Sequence, residues 1–271
     1  MTRLRYAAML ALGALALLPL YWLLMSSVRP AGDIFRYGGA FSWHTLIPSA
    51  LTLENYGELT RGDFPRALGN SLFVSLATVA LALLVNSLAG FAFATFRFPL
   101  RNALFVLVLA SFMMPFESIV MPLYTLIRML GWTDTYAALI LPEVASGLSI
   151  FLFRQFFAGI PRELYEAGRI DGATWWQIYW RLVLPLSGPT LATAALMQFV
   201  QQWDAFFWPV VAASSPDKVM IQVAIARHAN METANWGGLF ASASVSVLVA
   251  ALPFLALQRY YIRTVIHSGL K

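Results

Sequence analysis

Residues Arg162–Pro185 read RELYEAGRIDGATWWQIYWRLVLP, a charged, glycine-punctuated stretch in a chain that is 59% hydrophobic. Its charges are costly in hydrocarbon, so the stretch faces water or another protein. Leu164–Asp171 predicts a short helix. Pro161 stands near its start, and Glu163 and Glu166 fall in the early turns, where the helix dipole favours anions. Gly172 supplies the break that ends it. Leu164, Ala167 and Gly168 recur at i, i+3, i+4 and share one face, and their small side chains permit close approach by a partner. Trp175, Trp176, Tyr179 and Trp180 follow at the depth expected of an interfacial aromatic belt. The alternative is an amphipathic helix lying on the membrane, but the segment is short and three acids accompany its arginines, whereas surface helices are rich in Lys and Arg. Docking is the preferred reading.

Outward from this stretch the chain is that of a membrane protein. It has 271 residues, 11% of them charged, and a mean hydropathy of +0.69, against about a quarter charged in soluble domains. Six segments are apolar over the ~20 residues that a helix needs to cross a bilayer: about 6–28, 67–96, 103–127, 136–157, 186–211 and 237–261. Their runs are continuous rather than alternating, which predicts helices and not barrel strands. The expected fold class is therefore an all-α integral membrane protein with a single transmembrane domain over 1–271. Pro115, Pro122, Pro142 and Pro253 fall within or near span ends, where neighbouring helices satisfy the freed backbone groups. The first span is longer than a signal-peptide core of ~7–15 residues and reads as an uncleaved helix. Cysteine is absent, which excludes disulfides and thiolate chemistry. The net charge of +5 comes from scattered basic residues, so nucleic acid is not an expected partner.

Placing the N-terminus in the cytoplasm gives that side the larger share of the 18 basic residues, among them Arg3, Arg5, Arg97, Arg101, Arg154 and Arg162, as the positive-inside rule requires. Both termini and the 158–185 loop are then cytoplasmic. The 29–66 segment is external and predicts an ordered cap with short helices.

With these residues in view, the chain resembles the permease subunits of bacterial ABC importers. Their loop carries Glu-Ala-Ala, three residues, Gly, nine residues, Ile, one residue, Leu-Pro. Here the match is Glu166-Ala167, Gly172, Leu184 and Pro185, with Gly168 for the second Ala and Leu182 for Ile. Asn70-Ser71, Phe96-Arg97-Phe98-Pro99, Pro122-Leu123-Tyr124, Phe153-Arg154-Gln155-Phe156-Phe157 and Gln258-Arg259-Tyr260 resemble the carbohydrate branch, and within it the second, six-span permease of a maltose- or glycerol-3-phosphate-type pair. The resemblance implies the type I importer architecture, a second permease subunit, a cytoplasmic ATPase dimer that holds ATP and Mg, an extracytoplasmic solute-binding protein and a sugar-class substrate, in a bacterial inner membrane. It implies a coupling helix, with Glu163, Leu164, Glu166, Ala167, Gly168, Asp171, Gly172, Leu184 and Pro185 as the ATPase-coupling loop. No Gly-x-x-x-x-Gly-Lys-Ser/Thr loop and no Ser/His/Asp set is found, so neither a cofactor nor catalysis is expected in this chain.

Three acids lie in or at the ends of spans: Glu117, Glu143 and Asp204. Glu117 stands between Pro115 and Pro122, where a broken helix could line a cavity or reach external water. For Glu143, near a span start, a purely structural role is as good. Gln198, Gln201, Gln202 and Asp204 predict a polar stripe on the fifth span, with Trp203 and Phe207 on one face at i, i+4. Rings and amides there suit a sugar. Helix–helix glue from the glutamines, with Trp203 and Trp208 as an interfacial belt, explains them equally. Related permeases carry Trp-Asn-Asp-Phe-Leu-Trp-Pro at this place, and the carboxylate here is shifted by one position. His44, His228 and His267 show no metal-ligand spacing and are expected to be solvent-exposed. A stand-alone secondary transporter using intramembrane carboxylates is the rival reading, and an integral membrane enzyme acting on lipid-linked sugar a third. Neither needs the docking loop.

Overall fold

The structure, a computed structural model, describes residues 2–36, 42–229 and 235–268, with side chains over 3–36, 42–229 and 235–258. The side chains of Arg259, Tyr260, Arg263 and His267, and Lys271 altogether, lie outside this set. Among the described residues there is no strand. In chain order the helices are α1 (Thr2–Ser27), α2 (Trp43–Leu46), α3 (Glu54–Arg61), α4 (Phe64–Thr95), α5 (Arg101–Met113), α6 (Phe116–Met129), α7 (Tyr136–Ile140), α8 (Gly147–Ala158), α9 (Arg162–Ile170), α10 (Trp175–Ile178), α11 (Leu184–Leu186), α12 (Gly188–Trp203), α13 (Phe207–Ala212), α14 (Ile221–His228) and α15 (Trp236–Ser268). Three uninterrupted helical stretches are long and apolar enough to cross a bilayer: Arg3–Ser27, Phe64–Thr95 and Trp236–Gln258. Three bent pairs bring the total to six if each is one span: α5 with α6 at 102°, Tyr136–Glu143 with α8 at 44°, and Trp175–Leu186 with α12 at 80°.

The chain divides into two compact units, Met1–Gly69 with Val219–Ala250, and Asn70–Lys218 with Ala251–Lys271. In the first, α3 is tied to carbonyls at and just past the end of α1, and α2 is held through its own carbonyls by side chains from α1 and the residues after it. The Asn55 amide donates to the carbonyls of Ser27 (2.9 Å) and Arg29 (2.8 Å). Arg29 is buried, donates to the Thr45 carbonyl at 2.8 Å and lies 5.3 Å from the centre of the Trp22 ring. Gly237 backs directly onto the Asn55 amide, where any β-carbon would collide. His228 departs from expectation, because it is partly buried beside Gly238. Burial lowers its imidazole pKa, and nearby Glu58 opposes the shift.

In the second unit, proline and glycine set the geometry. Pro115 caps α6 at the sharpest bend, and Pro142 sits in a 3-10 turn (Leu141–Glu143) between α7 and α8. Gly90 brings α4 and α8 into backbone contact: a β-carbon there would stand 2.5 Å from Phe153 Cβ and 2.9 Å from Arg154 N. Gly147 does the same for α8 on α5, with Val108 O at 2.6 Å from a built β-carbon. Asn86 of α4 clasps the break before α8, donating to the Val144 carbonyl and accepting from the Ser146 N–H, both at 3.0 Å.

The fifth span is corrected in one respect. Helix α12 stops at Trp203 and resumes as α13 at Phe207. Pro209 has no N–H to offer the Ala205 carbonyl and its ring crowds it, which disfavours continuous helix here, although Pro19, Pro122 and Pro253 are carried inside helices elsewhere in the chain. Trp203 and Phe207 are thus not one turn apart on one face: Trp203 is buried and Phe207 is half exposed. Trp203 and Trp208 are both buried in protein, which rules them out as an interfacial belt.

Two outcomes are expected. Gly90→Val forces the α4–α8 contact apart and should cost about 1–3 kcal/mol, read as a lowered thermal unfolding midpoint in detergent. Because the folded pKa of His228 is depressed, its stabilisation is complete above the ordinary imidazole value of about 6.5 and is lost as pH falls through the lower folded value. Amides of α14 should therefore lose protection on acidification, in hydrogen exchange corrected for intrinsic rates, and His228→Gln should remove that dependence.

Candidate functional site

The Arg162–Pro185 stretch folds as a helix, a tight turn and a second helix. Helix α9 starts after Pro161, carries Glu163 in its first turn and ends at Asp171. Gly172 follows at φ +77°, in the left-handed region that favours glycine. The Ala173 N–H donates to the Gly168 carbonyl at 3.0 Å and the Gly172 N–H to the Arg169 carbonyl at 3.1 Å, the two bonds of a Schellman termination. Thr174 then opens α10 with a capping box: its hydroxyl accepts from the Gln177 N–H at 3.2 Å, and its own N–H donates to Gln177 Oε1 at 2.7 Å. Arg169 closes the turn across the gap, donating to the Ala173 carbonyl at 2.7 Å. All of these bonds are local, so the turn keeps its shape without outside support.

One residue of α9 ties it to the body. Tyr165 is buried, and its hydroxyl donates to the Phe157 carbonyl at 3.1 Å. Burial pushes its phenol above the ordinary range, so the hydroxyl keeps its proton. It belongs to an apolar cluster with Phe91, Phe153, Phe157, Ile178, Tyr179 and Val183. The Gly168 side of α9 rests on Ile178, whose Cγ1 would be 3.2 Å from a β-carbon on Gly168. The opposite surface is open: Glu163, Leu164, Glu166, Ala167, Asp171 and Gly172 are all exposed. Between α9 and α10 lies an open groove of about 540 Å³, lined by Leu164, Ala167, Asp171, Gln177 and Arg181 among others. Leu184 is half-buried and Pro185 exposed. Pro185 cannot donate to the Arg181 carbonyl, and the preceding residues Tyr179–Val183 widen into a π-helical turn. Of the aromatic run, Trp175, Trp176 and Trp180 are exposed, whereas Tyr179 turns inward and bonds the Ser87 hydroxyl at 2.7 Å. The sequence reading missed Tyr165 and Ser87. No local signal sets Tyr165 apart from the aromatic run that follows it.

The second feature is a cavity of about 370 Å³ at the broken helices, whose lining includes Phe112, Phe116, Glu143, Ser146, Gln198 and Gln201. The carboxylate that faces it is Glu143. Gln201 Nε2 donates to Glu143 Oε2, and Gln198 Nε2 to the Glu143 carbonyl, both at 3.1 Å. No Lys, Arg or His is in the lining. Glu117 is exposed in the first turn of α6 and lies outside the lining. Gln202 and Trp203 are buried, Trp203 stacking on Phe199 at 5.4 Å. Asp204 caps the end of α12, exposed like Phe207, and neither lines the cavity. Of the expected stripe, then, only Gln198 and Gln201 reach the cavity, and the glutamines also bridge α12 to the turn before α8. Among the described residues no cluster of three metal-ligating side chains occurs.

Known proteins resemble this chain in sequence and in fold. The model of a family described as "Binding-protein-dependent transport system inner membrane component" matches residues 86–267. The arabinooligosaccharides transport system permease protein AraQ of Halalkalibacterium halodurans is 36% identical over 261 residues, covering 95% of this chain and 92% of that protein. The sn-glycerol-3-phosphate transport system permease protein UgpE of Rhizobium meliloti is 30% identical over 260 residues, covering 92% and 90%. A chain from the crystal structure of a bacterial ABC transporter involved in the import of the acidic polysaccharide alginate matches with a TM-score of 0.83 at 20% identity, covering 96% of each chain, a likeness of fold.

Tyr165 separates a contact from a plug. Tyr165→Phe removes one hydroxyl bond and should cost about 1 kcal/mol. Tyr165→Ala empties part of the aromatic cluster and should cost about 3–5 kcal/mol. Unfolding midpoints of the two variants in the same detergent check the ordering.

Proposed function

Because this chain belongs to the binding-protein-dependent transport system inner membrane component family, we propose that its α9 element is the coupling helix through which a cytoplasmic ATPase drives import. The chain is a permease of an ABC importer of sugar-class solutes, and in this reading it forms half of the translocation pathway beside a second permease. Solute arrives on an extracytoplasmic binding protein, and ATP with Mg is bound and hydrolysed on the partner ATPase dimer. Both termini and the 158–185 loop face the cytoplasm, in a bacterial inner membrane. The observation that carries the coupling role is the shape of α9: acids and small residues exposed on one side, Tyr165 locked into the core on the other.

A rigid exposed helix joined to a packed body transmits displacement. Glu166 and Glu163 are the exposed charges offered to the ATPase cleft, and Gly172 permits the turn that holds them out. Leu184 and Pro185 sit at the widened turn where the element rejoins the span. The cavity with Glu143, Gln198 and Gln201 is the pathway-facing site. Ring faces of Phe112 and Phe116, with hydroxyl, amide and one carboxylate nearby, suit the apolar CH faces and hydroxyls of a sugar. A carboxylate with no cation in the lining repels anions, which favours a neutral saccharide, as in the arabinooligosaccharide relative, over a phosphate ester. The rival reading, a secondary transporter, lacks a second titratable group in that lining to receive a proton from Glu143.

In the assembled transporter reconstituted in proteoliposomes, uptake of the cognate solute should require ATP and persist without a proton gradient. Uptake driven by a proton gradient alone would overturn the reading. Gly172→Val places a branched side chain in the left-handed region at about 1–2 kcal/mol, a factor of roughly 5–30 in the equilibrium constant for forming the turn. ATP-driven uptake should fall in Gly172→Val, by at most that factor, and should also fall in Glu166→Ala, with membrane insertion unchanged.

A further inference from the structure

Four guanidinium groups line one hollow beside α9. Arg97, Arg101, Arg154 and Arg162 border a cavity of about 430 Å³ together with Tyr165 and Glu166. An adjoining open hollow of about 310 Å³ shares Arg97 and Arg101 and runs past Leu100 to Asn102. One carboxylate among four arginines leaves the lining strongly positive. Among the described residues none of the four is ion-paired with a carboxylate. Arg154 lies 4.0 Å from the centre of the Phe105 ring, and Arg101 donates to the Phe96 carbonyl at 3.2 Å. Each guanidinium has five N–H donors, so these contacts leave most of them available.

Two further features point to the class of ligand. Helix α5 begins at the open hollow with no side-chain cap, its N-cap being Leu100 at φ +61°. In the first turn of this 13-residue helix the Arg101 N–H donates to the Phe98 carbonyl at 3.3 Å, and the N–H groups of Asn102 and Ala103, which have no partner within the helix, are left to face an anion. A residue with a β-carbon keeps that φ only where its surroundings impose it. Beyond the charged end, the surface of α5 turns apolar and exposed at Leu104, Val106 and Leu107, and Leu100 itself is 73% exposed. Positive charge at a helix start followed by an open apolar row has the layout of an amphiphile with an anionic head. Basic pockets between membrane helices bind such heads. A soluble phosphate could use the arginines but not the apolar row.

We propose that the hollow formed by Arg97, Arg101, Arg154 and Arg162 binds the phosphate of an anionic phospholipid, with its acyl chains along α5. The lipid would fill the space between α9 and the body of the unit, and brace the element from the membrane side. This site depends on the chain's membrane location and not on the coupling role of α9, so the two readings fail separately.

The test uses the assembled transporter in a neutral detergent, exposed to spin-labelled phosphatidylglycerol or phosphatidylcholine, with the immobilised fraction as readout. The wild type should retain phosphatidylglycerol in preference to phosphatidylcholine. The preference should fall roughly fivefold for each arginine removed in Arg97→Gln and Arg101→Gln, the ratio equivalent to about 1 kcal/mol per basic residue. Arg97→Lys with Arg101→Lys keeps the charge and should keep most of the preference. Equal retention of both lipids by the wild type would overturn the proposal, as would an unchanged preference in the glutamine variants. Loss as complete in the lysine pair as in the glutamine pair would remove the charge argument. Displacement of the lipid by millimolar inorganic phosphate alone would reassign the site to a soluble anion. Release of the ATPase subunit by the glutamine variants, with lipid preference intact, would assign the arginines to that partner instead.

Discussion

In hydrocarbon a backbone carbonyl or N–H without a partner costs several kcal/mol, and the second unit of this protein is organised by that constraint. Proline breaks its helices at Pro115, Pro142 and Pro209, and each break frees main-chain groups that something must satisfy. Asn86 answers two of them at once, at Val144 and Ser146. Gln198 takes the Glu143 carbonyl, and the Trp208 indole takes the Ala138 carbonyl at 2.9 Å. The polar side chains that make the cavity hydrophilic are therefore partly the groups that make the broken helices tolerable. On the reading that the cavity binds solute, contact and structural repair share the same residues, which explains why glutamines on α12 read equally well as substrate contacts or as glue.

The α9 element was legible in the sequence because its signals are local. Glu163 and Gly172 mark a start and a left-handed stop, and α9 with its Schellman turn lies where those residues put it; Gly168, read as part of a face open to a partner, instead rests on Ile178. The all-α membrane class was legible from the length of the apolar runs. What could not be read was anything decided by distant partners. Tyr165 looks like any interfacial aromatic until Phe157 and Phe91 are seen around it. Glu143 and Glu117 are both acids within two residues of a proline, and only the packing of α12 against the turn before α8 gives Glu143 the cavity and leaves Glu117 outside it. The stop at Trp203 had a local cause in Pro209, four residues past the carbonyl it fails to serve, and hydropathy alone hides it.

The two sites are joined by one element. Helix α8 begins at Gly147, in the cavity lining, and ends at Ala158, next to the Phe157 carbonyl that receives the Tyr165 hydroxyl. Twelve residues at 1.5 Å each make a rod of about 18 Å. Its sides are held by backbone-close contacts at Gly90 and Gly147, which leave little room for the rod to bend. A rod gripped this way responds to a push at one end by tilting or sliding as a whole, since packed interiors resist continuous deformation. On the coupling reading, force applied to α9 enters α8 through Tyr165 and leaves at Ser146 and Gly147. There the Asn86 clasp and the Glu143–Gln201 bond decide how far the cavity opens. The strength of Tyr165 as an anchor and the release of the Asn86 clasp at Val144–Ser146 are then complementary requirements: the first end must not slip, and the second must be able to let go.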